Sequence, residues 1–294
     1  MSRFSALLVR AAERIGVSAH KAVRVYSGRT GETTGGIRLA VWKHSAADGE
    51  GRRSIAAAGT DLMLSGTTAK GKPVLFQPTN VKSVALKDAN GETIGVMFPS
   101  KPSDDTSGKW ASAPTRNVDT TVTRGFVDVE KARVTKQLAF IAEEPETAPW
   151  AQTTTPKRPV YAQAHADPEV FVVKANLGSR LLPRWTTVDV DGETYGKILA
   201  TNEHFARAAG ASPGAPVVLV SCDVGDGAMV ARTTADYLHR TGAVTGDIYA
   251  PKGMTGFSIE NGVSDMYVTL LKLRGDGTAP GFEVFPGPGA DTAG

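Results

Sequence analysis

The chain has 294 residues, enough for one large domain or one domain with a sizeable appendage. Hydrophobic residues make up 41% and charged residues 21%, and the mean hydropathy is −0.16, which argues against wholesale disorder and against a membrane bundle. Lys and Arg number 33 against 30 Asp and Glu, so the net charge of +3 is too small to imply a nucleic-acid partner. A single cysteine, Cys222, excludes an intramolecular disulfide framework and any multi-cysteine metal site.

Residues 2–17 open with a basic residue, but Arg10, Glu13 and Arg14 interrupt the apolar stretch. Phe4, Leu7, Leu8, Ala11, Ala12 and Ile15 recur at helical spacing, which predicts an amphipathic helix packed on the domain. A secretory signal is not expected, nor is a membrane span, because no run of 18 apolar residues occurs. The default compartment is therefore the cytoplasm.

Short runs at 23–28, 36–44, 62–66, 73–78 and 81–88 alternate apolar and polar residues between Gly, Pro, Asn and Asp breaks. Asn90-Gly91 separates two such runs and predicts a hairpin. Residues 1–90 are thus expected to form a helix plus β-rich unit, and 91–294 an α/β domain. Residues 92–99 predict a buried strand and 100–117 a polar surface loop. Residues 119–129 suit another strand pair. In 130–144, Val134, Leu138 and Ile141 predict a helix, and a Pro/Thr linker follows.

Beyond the linker, 159–166 reads as a buried strand, and 170–178 and 186–196 as short strands. Residues 193–210 predict a helix that Gly210 stops. The continuous apolar run 216–222 suits a central parallel strand covered on both faces. A second helix is expected over 226–242, and further strands at 247–251, 266–273 and 281–287. Strands alternating with helices imply a layered α/β domain with right-handed crossovers.

In such a sheet ligands bind at the carboxyl ends of the strands. Cys222 ends one apolar strand and is followed by a Gly-containing loop. His165 ends another, ahead of Asp167 and Pro168. A thiolate is a nucleophile, an imidazole can activate it, and a Gly-rich turn can present N–H donors to an oxyanion. Free cysteine is also among the most buried residue types, so packing is the alternative role for Cys222. Asp223 and Asp226 are candidates for binding a basic substrate residue, with a helix cap the favoured role for Asp226. His204 and His239 lie in polar helical registers, and His20 and His44 have no acidic or thiol companion nearby. No phosphate-binding loop, zinc-protease motif or serine elbow is present.

The order strand-His, small hairpin, helix, strand-Cys, Gly loop, helix, strand resembles the caspase-like (clan CD) cysteine peptidases. Ala148-Pro149-Trp150, VYAQAHA, PVVLVSCDVGDG and IYAP are most similar to the actinobacterial "lonely Cys" domains, caspase-like modules of very large, toxin-like proteins. The resemblance implies a layered, mostly parallel sheet with helices on both faces, preceded by the β-rich region. It implies Cys222 as nucleophile and His165 as acid/base, with oxyanion donors at the backbone N–H of Cys222 and of Ala166. The family usually has glycine after the histidine. Here Ala166 stands there and offers the same N–H. The reaction needs no metal or cofactor, and the partner is a polypeptide substrate, with neither nucleic acid nor membrane expected. The open alternatives are a catalytically inactive scaffold, or an effector fragment, that binds protein partners. The position of the thiol relative to His165 separates catalysis from packing.

Overall fold

The computed structural model describes residues 62–128, 139–142, 144–153, 156–179, 181–225, 229–272 and 280–288. The expected helix at 2–17, the strands at 23–28 and 36–44, and His20, His44 and Asp226 lie outside them.

The protein is a mixed α/β structure with parallel and antiparallel strands in two sheets. The larger has ten strands: β1 (Leu64–Thr68), β2 (Pro73–Phe76), β3 (Val84–Lys87), β4 (Thr93–Phe98), β9 (Val160–Ala166), β10 (Phe171–Asn176), β11 (Trp185–Val190), β12 (Val217–Val220), β13 (Ile248–Pro251) and β16 (Phe282–Phe285). The smaller is built from β14 (Met254–Glu260), β15 (Val263–Lys272), β6 (Thr121–Asp128) and β7 (Ala139–Ala142). Two short strands, β5 (Thr115–Arg116) and β8 (Glu146–Thr147), join it at the side. Three α-helices are described: α1 (Gly192–Thr201), α2 (Glu203–Ala211) and α3 (Met229–Arg240).

Four neighbouring strands, β4, β9, β12 and β13, run parallel. Every other pairing in the large sheet is antiparallel among the described residues, so "mostly parallel" holds only for this inner block. All of Val217–Val220 is buried, as a central strand covered on both faces requires. The Asn90-Gly91 hairpin joins β3 to β4, with Gly91 at φ 82°, a left-handed conformation that glycine adopts without strain. The expected seam at residue 90 does not divide two sheets. β1 pairs with β11 and β3 with β4, so the strands between 64 and 87 are built into the same sheet.

The two faces of the large sheet are covered differently. Val160, Ala162 and Ala164 of β9 face a core that includes Tyr195, Leu199, Phe205 and Leu238 from the three helices. Tyr161 of β9 and Val218 and Val220 of β12 face a second core with Trp110, Trp150, Val122, Met266 and Val268. Helices therefore cover one face among the described residues, and the small sheet covers the other. This corrects the expectation of helices on both faces. Residues 139–142, expected to be helical, instead form β7 and pair with β6. The backbone bonds offered by the β6 edge outweigh a helical spacing that rests on three apolar residues.

The helix expected over 193–210 is two helices. Asp191 caps α1 through Thr194 N–H at 2.7 Å, and Asn202 breaks the run. The Asn202 side chain accepts the N–H groups of His204 and Phe205 at 3.0 and 3.1 Å, restarting the helix in a new direction.

Candidate functional site

β9 and β12 are adjacent and parallel, with a constant offset of 57 residues from Val217–Val160 to Val220–Gln163. β12 stops at Val220, where Ser221 N–H bonds the Leu219 carbonyl at 3.0 Å, so Cys222 lies in the turn just past the end of β12, while His165 lies near the end of β9. Strand alternation puts His165 on the face of Tyr161, and the Cys222 sulfur meets Thr255 of β14, in the small sheet that covers that face. The sheet thus brings the two expected catalytic residues to one edge, the carboxyl edge of the parallel block.

A third element reaches the same edge. β4 runs parallel to β9 and ends at Phe98, and its following loop turns back over the end of β9. Asp104 in that loop is buried, and its Oδ1 lies 3.0 Å from His165 Nε2. Asp104 Oδ2 accepts the N–H groups of Ser100 and Lys101, each at 2.9 Å. Burial opposes ionisation of Asp104, but the His165 imidazole and the two backbone donors outweigh it and bring its pKa down to about 2. An ionised carboxylate only accepts, so His165 Nε2 carries the proton and Nδ1 keeps its lone pair in the neutral ring.

The sequence reading missed Asp104 because 100–117 looked like a solvated polar loop. The segment is instead pinned down. Trp110 is 1% exposed and donates through Nε1 to Gln163 Oε1 of β9 at 3.0 Å, and Gln163 Nε2 donates to the Ser107 carbonyl at 3.4 Å. A lone tryptophan followed by small residues was the available signal, since a large aromatic in a short loop is seldom left in water.

Asp104 carries a pH signature. Its folded pKa lies below the usual 3.8, so its stabilisation is full above that value and is lost as pH falls from 3.8 through about 2. The loss should be about 2 kcal/mol. Urea midpoints measured across this range should fall for the wild type, and Asp104→Asn should remove that part of the slope. An unchanged slope would reject the His165–Asp104 pairing.

After β12 the chain leaves the sheet in a tight turn. Asp223 adopts φ 57°. Asp223 N–H donates to the Gly253 carbonyl at 3.0 Å, and Gly225 N–H to the Pro251 carbonyl at 2.8 Å. Gly225 is required there, because a Cβ would sit 2.3 Å from the Ala250 carbonyl oxygen. The Cys222 N–H takes no part in these bonds. The antiparallel pairing of β9 and β10 turns the Ala166 N–H away from β10. Asp167 N–H bonds the Val170 carbonyl at 3.0 Å, and the strand alternates from there.

Cys222 is partly exposed. Burial pushes the thiol pKa up. Hydrogen bonds from the backbone and side chain of Thr255, and the Lys101 charge, pull it back, while Asp223 pushes it further up. The net direction is upward, so the resting group at neutral pH is a thiol. Asp223, the expected substrate-binding residue, is thus a neighbour that disfavours the thiolate.

Elsewhere, His239 bonds the Gly246 carbonyl through Nε2 at 3.0 Å and ties the end of α3 to the next loop. His204 lies on α2, away from the carboxyl edge, and its Nδ1 is buried without a partner. No metal-binding cluster of His, Cys, Asp and Glu occurs among the described residues.

No protein-family model, no curated protein and no solved structure matches this chain.

Proposed function

We propose that the chain is a caspase-like cysteine peptidase module that cleaves peptide bonds, its own or a partner's, through Cys222 and His165. The observation that carries this reading is the buried Asp104 bonded to His165 at the carboxyl edge of the parallel block, where β12 leads into Cys222. In this reading Nδ1 of His165 takes the thiol proton as sulfur attacks the scissile carbonyl carbon. The oxyanion is met by the N–H groups of Cys222 and Ala166. The imidazolium returns the proton to the leaving amine, and water then hydrolyses the thioester. Asp104 fixes the tautomer that makes Nδ1 the base, a role performed through His165.

The edge of β14 suits a polypeptide substrate. β14 pairs only with β15 among the described residues. Thr255 turns its N–H to the Cys222 sulfur. Strand alternation then sends the backbone groups of Phe257 and Ile259 to the same side. An extended peptide bonded there would run towards the thiol.

The non-catalytic scaffold keeps one observation in its favour, the upward pull of burial on the thiol. A peptidyl acyloxymethyl ketone separates the two readings. The catalytic reading expects covalent labelling of Cys222 at neutral pH, lost in His165→Ala although the thiol remains. Equal labelling of both proteins, or none before unfolding, would favour the scaffold.

A further inference from the structure

The strongest feature outside the carboxyl edge is the tip of the β10–β11 hairpin. Leu181 is 90% and Leu182 79% exposed, and Trp185 at the neck is 47% exposed. These side chains stand on a braced loop. Asn176 Oδ1 accepts the N–H groups of Gly178 and Arg184 at 2.9 and 2.8 Å. Leu177 N–H donates to the Arg184 carbonyl at 3.0 Å, and Leu182 N–H to Ser179 Oγ at 3.1 Å. Gly178 permits the crossing, since a Cβ there would lie 2.2 Å from the Leu182 carbonyl oxygen. Leu177 turns inward onto the helix-side core, whereas the two tip leucines turn out. Holding two leucines in water beside these hydrogen bonds sacrifices burial without gaining chain freedom.

Charge indicates what covers them. The β10–β11 hairpin, 171–190, contains Lys174, Arg180 and Arg184 against one acidic residue, Asp189, which lies at its base away from the tip, in a chain whose charges are otherwise nearly balanced. The features are also ordered by height. Asn176 pairs with Trp185, and Lys174 with Thr187, so Lys174 lies two residues below Trp185, about 7 Å along the strands. Trp185 and Lys174 share the outer face, because Val173, Ala175 and Val188 occupy the buried one. From the crest downward the hairpin thus presents aliphatic side chains, an aromatic ring beside a cation, and a second cation. A bilayer interface has the same succession: hydrocarbon, an interfacial zone that favours tryptophan, and headgroup charge.

We infer that the β10–β11 hairpin tip is a docking site for an anionic membrane surface, with Leu181 and Leu182 entering the outer hydrocarbon and Trp185, Arg184 and Lys174 at the headgroups. No described helix is long and apolar enough to cross a membrane, and a docking tip requires none. The sequence expectation of no membrane partner rested on the lack of a spanning run, which does not bear on a loop. Weak apolar insertion and weak electrostatic attraction each bind marginally, and together they give stable attachment. The inference stands apart from the peptidase reading, since the tip lies at the end of β10 remote from His165.

The test is co-sedimentation of the full chain with vesicles of phosphatidylcholine, with and without phosphatidylserine, alongside tryptophan emission. Binding should require phosphatidylserine and weaken as salt rises. Trp110 and Trp150 are already buried, so emission followed in a Trp42→Phe background should shift to the blue on binding and lose that shift in Trp185→Phe. The double variant Leu181→Asp with Leu182→Asp should bind at least tenfold more weakly at an unchanged melting temperature, and Arg184→Glu about tenfold more weakly. Failure to bind either vesicle, or binding that the double variant leaves unchanged, would overturn the inference. So would self-association without vesicles that the double variant abolishes, which would assign the tip to a second copy of the chain.

Discussion

His165→Ala should lower peptide turnover by about two to four orders of magnitude, the range for loss of a general acid/base. Cys222→Ala should abolish it, because no other residue of the chain carries a thiol. Cys222→Ser should be almost as inactive, since a hydroxyl ionises far less readily than a thiol. The histidine effect should be large because burial holds Cys222 in its neutral form, so a base must take the proton during attack. All three variants should keep their fold. His165 is one-third exposed, and truncating a side chain there leaves little cavity. Steady-state cleavage of a peptide library, with thermal melts as a fold control, checks the set. Equal cleavage by the wild type and Cys222→Ala would reject the mechanism whatever the fold. Ala166→Gly adds a reading of the oxyanion turn. If the Ala166 Cβ strains that turn, glycine should raise the rate, and an unchanged rate would mean the donor is already well placed.

The inner parallel block was legible because each of its strands states its own environment. The apolar, β-branched run at 216–222 suited a strand buried on both faces, and the residues at strand ends then marked an edge. His165 and Cys222 followed from that, one at the end of each apolar run. Asp104 did not follow. Its contribution depends on where a loop folds after β4, and that is decided by Trp110, Gln163 and the Ser100 and Lys101 backbone, none of which announces a partner in sequence. The second sheet was legible only in part: strands were expected at 119–129 and 266–273, where β6 and β15 lie, but β7, β14 and the pairing were not. β6, β7 and β15 are stabilised by pairing across distant stretches, and a window of fifteen residues sees only local spacing. In 130–144 that local spacing favoured a helix, whereas β7 follows the edge of β6. The break at Asn202 was legible in principle, because an Asn ahead of Glu203 and an apolar residue is a helix-start signal, here hidden inside a longer periodic run.

Trp110→Ala should be the most damaging single change outside the catalytic pair, destabilising the fold by about 3–5 kcal/mol. Trp110 joins three parts of the molecule. Its ring stacks on Phe257 of β14 at 4.2 Å with planes 8° apart, and meets Tyr161 of β9 edge-on at 5.0 Å. Its indole N–H is held by Gln163, two residues before His165 on the same strand face. Removing the ring leaves a cavity between the sheets and strips Gln163 of a donor, and each loss adds to the cost. A typical domain has only about 5–15 kcal/mol in hand, so the variant should unfold at clearly lower urea concentration. The consequence for the site is separable from the loss of stability. Trp110 anchors the segment that carries Asp104, so a variant folded at low temperature should still show weakened cleavage, with kcat falling more than KM rises. Trp110→Phe keeps an aromatic ring to stack but loses the N–H and part of the ring volume, so it should cost less than Trp110→Ala, about 1–3 kcal/mol, and retain most of the activity. If Trp110→Ala lost stability but kept full activity in the cold, the loop would reach His165 without its anchor, and the pinning of Asp104 would have to come from the Ser100 and Lys101 backbone alone.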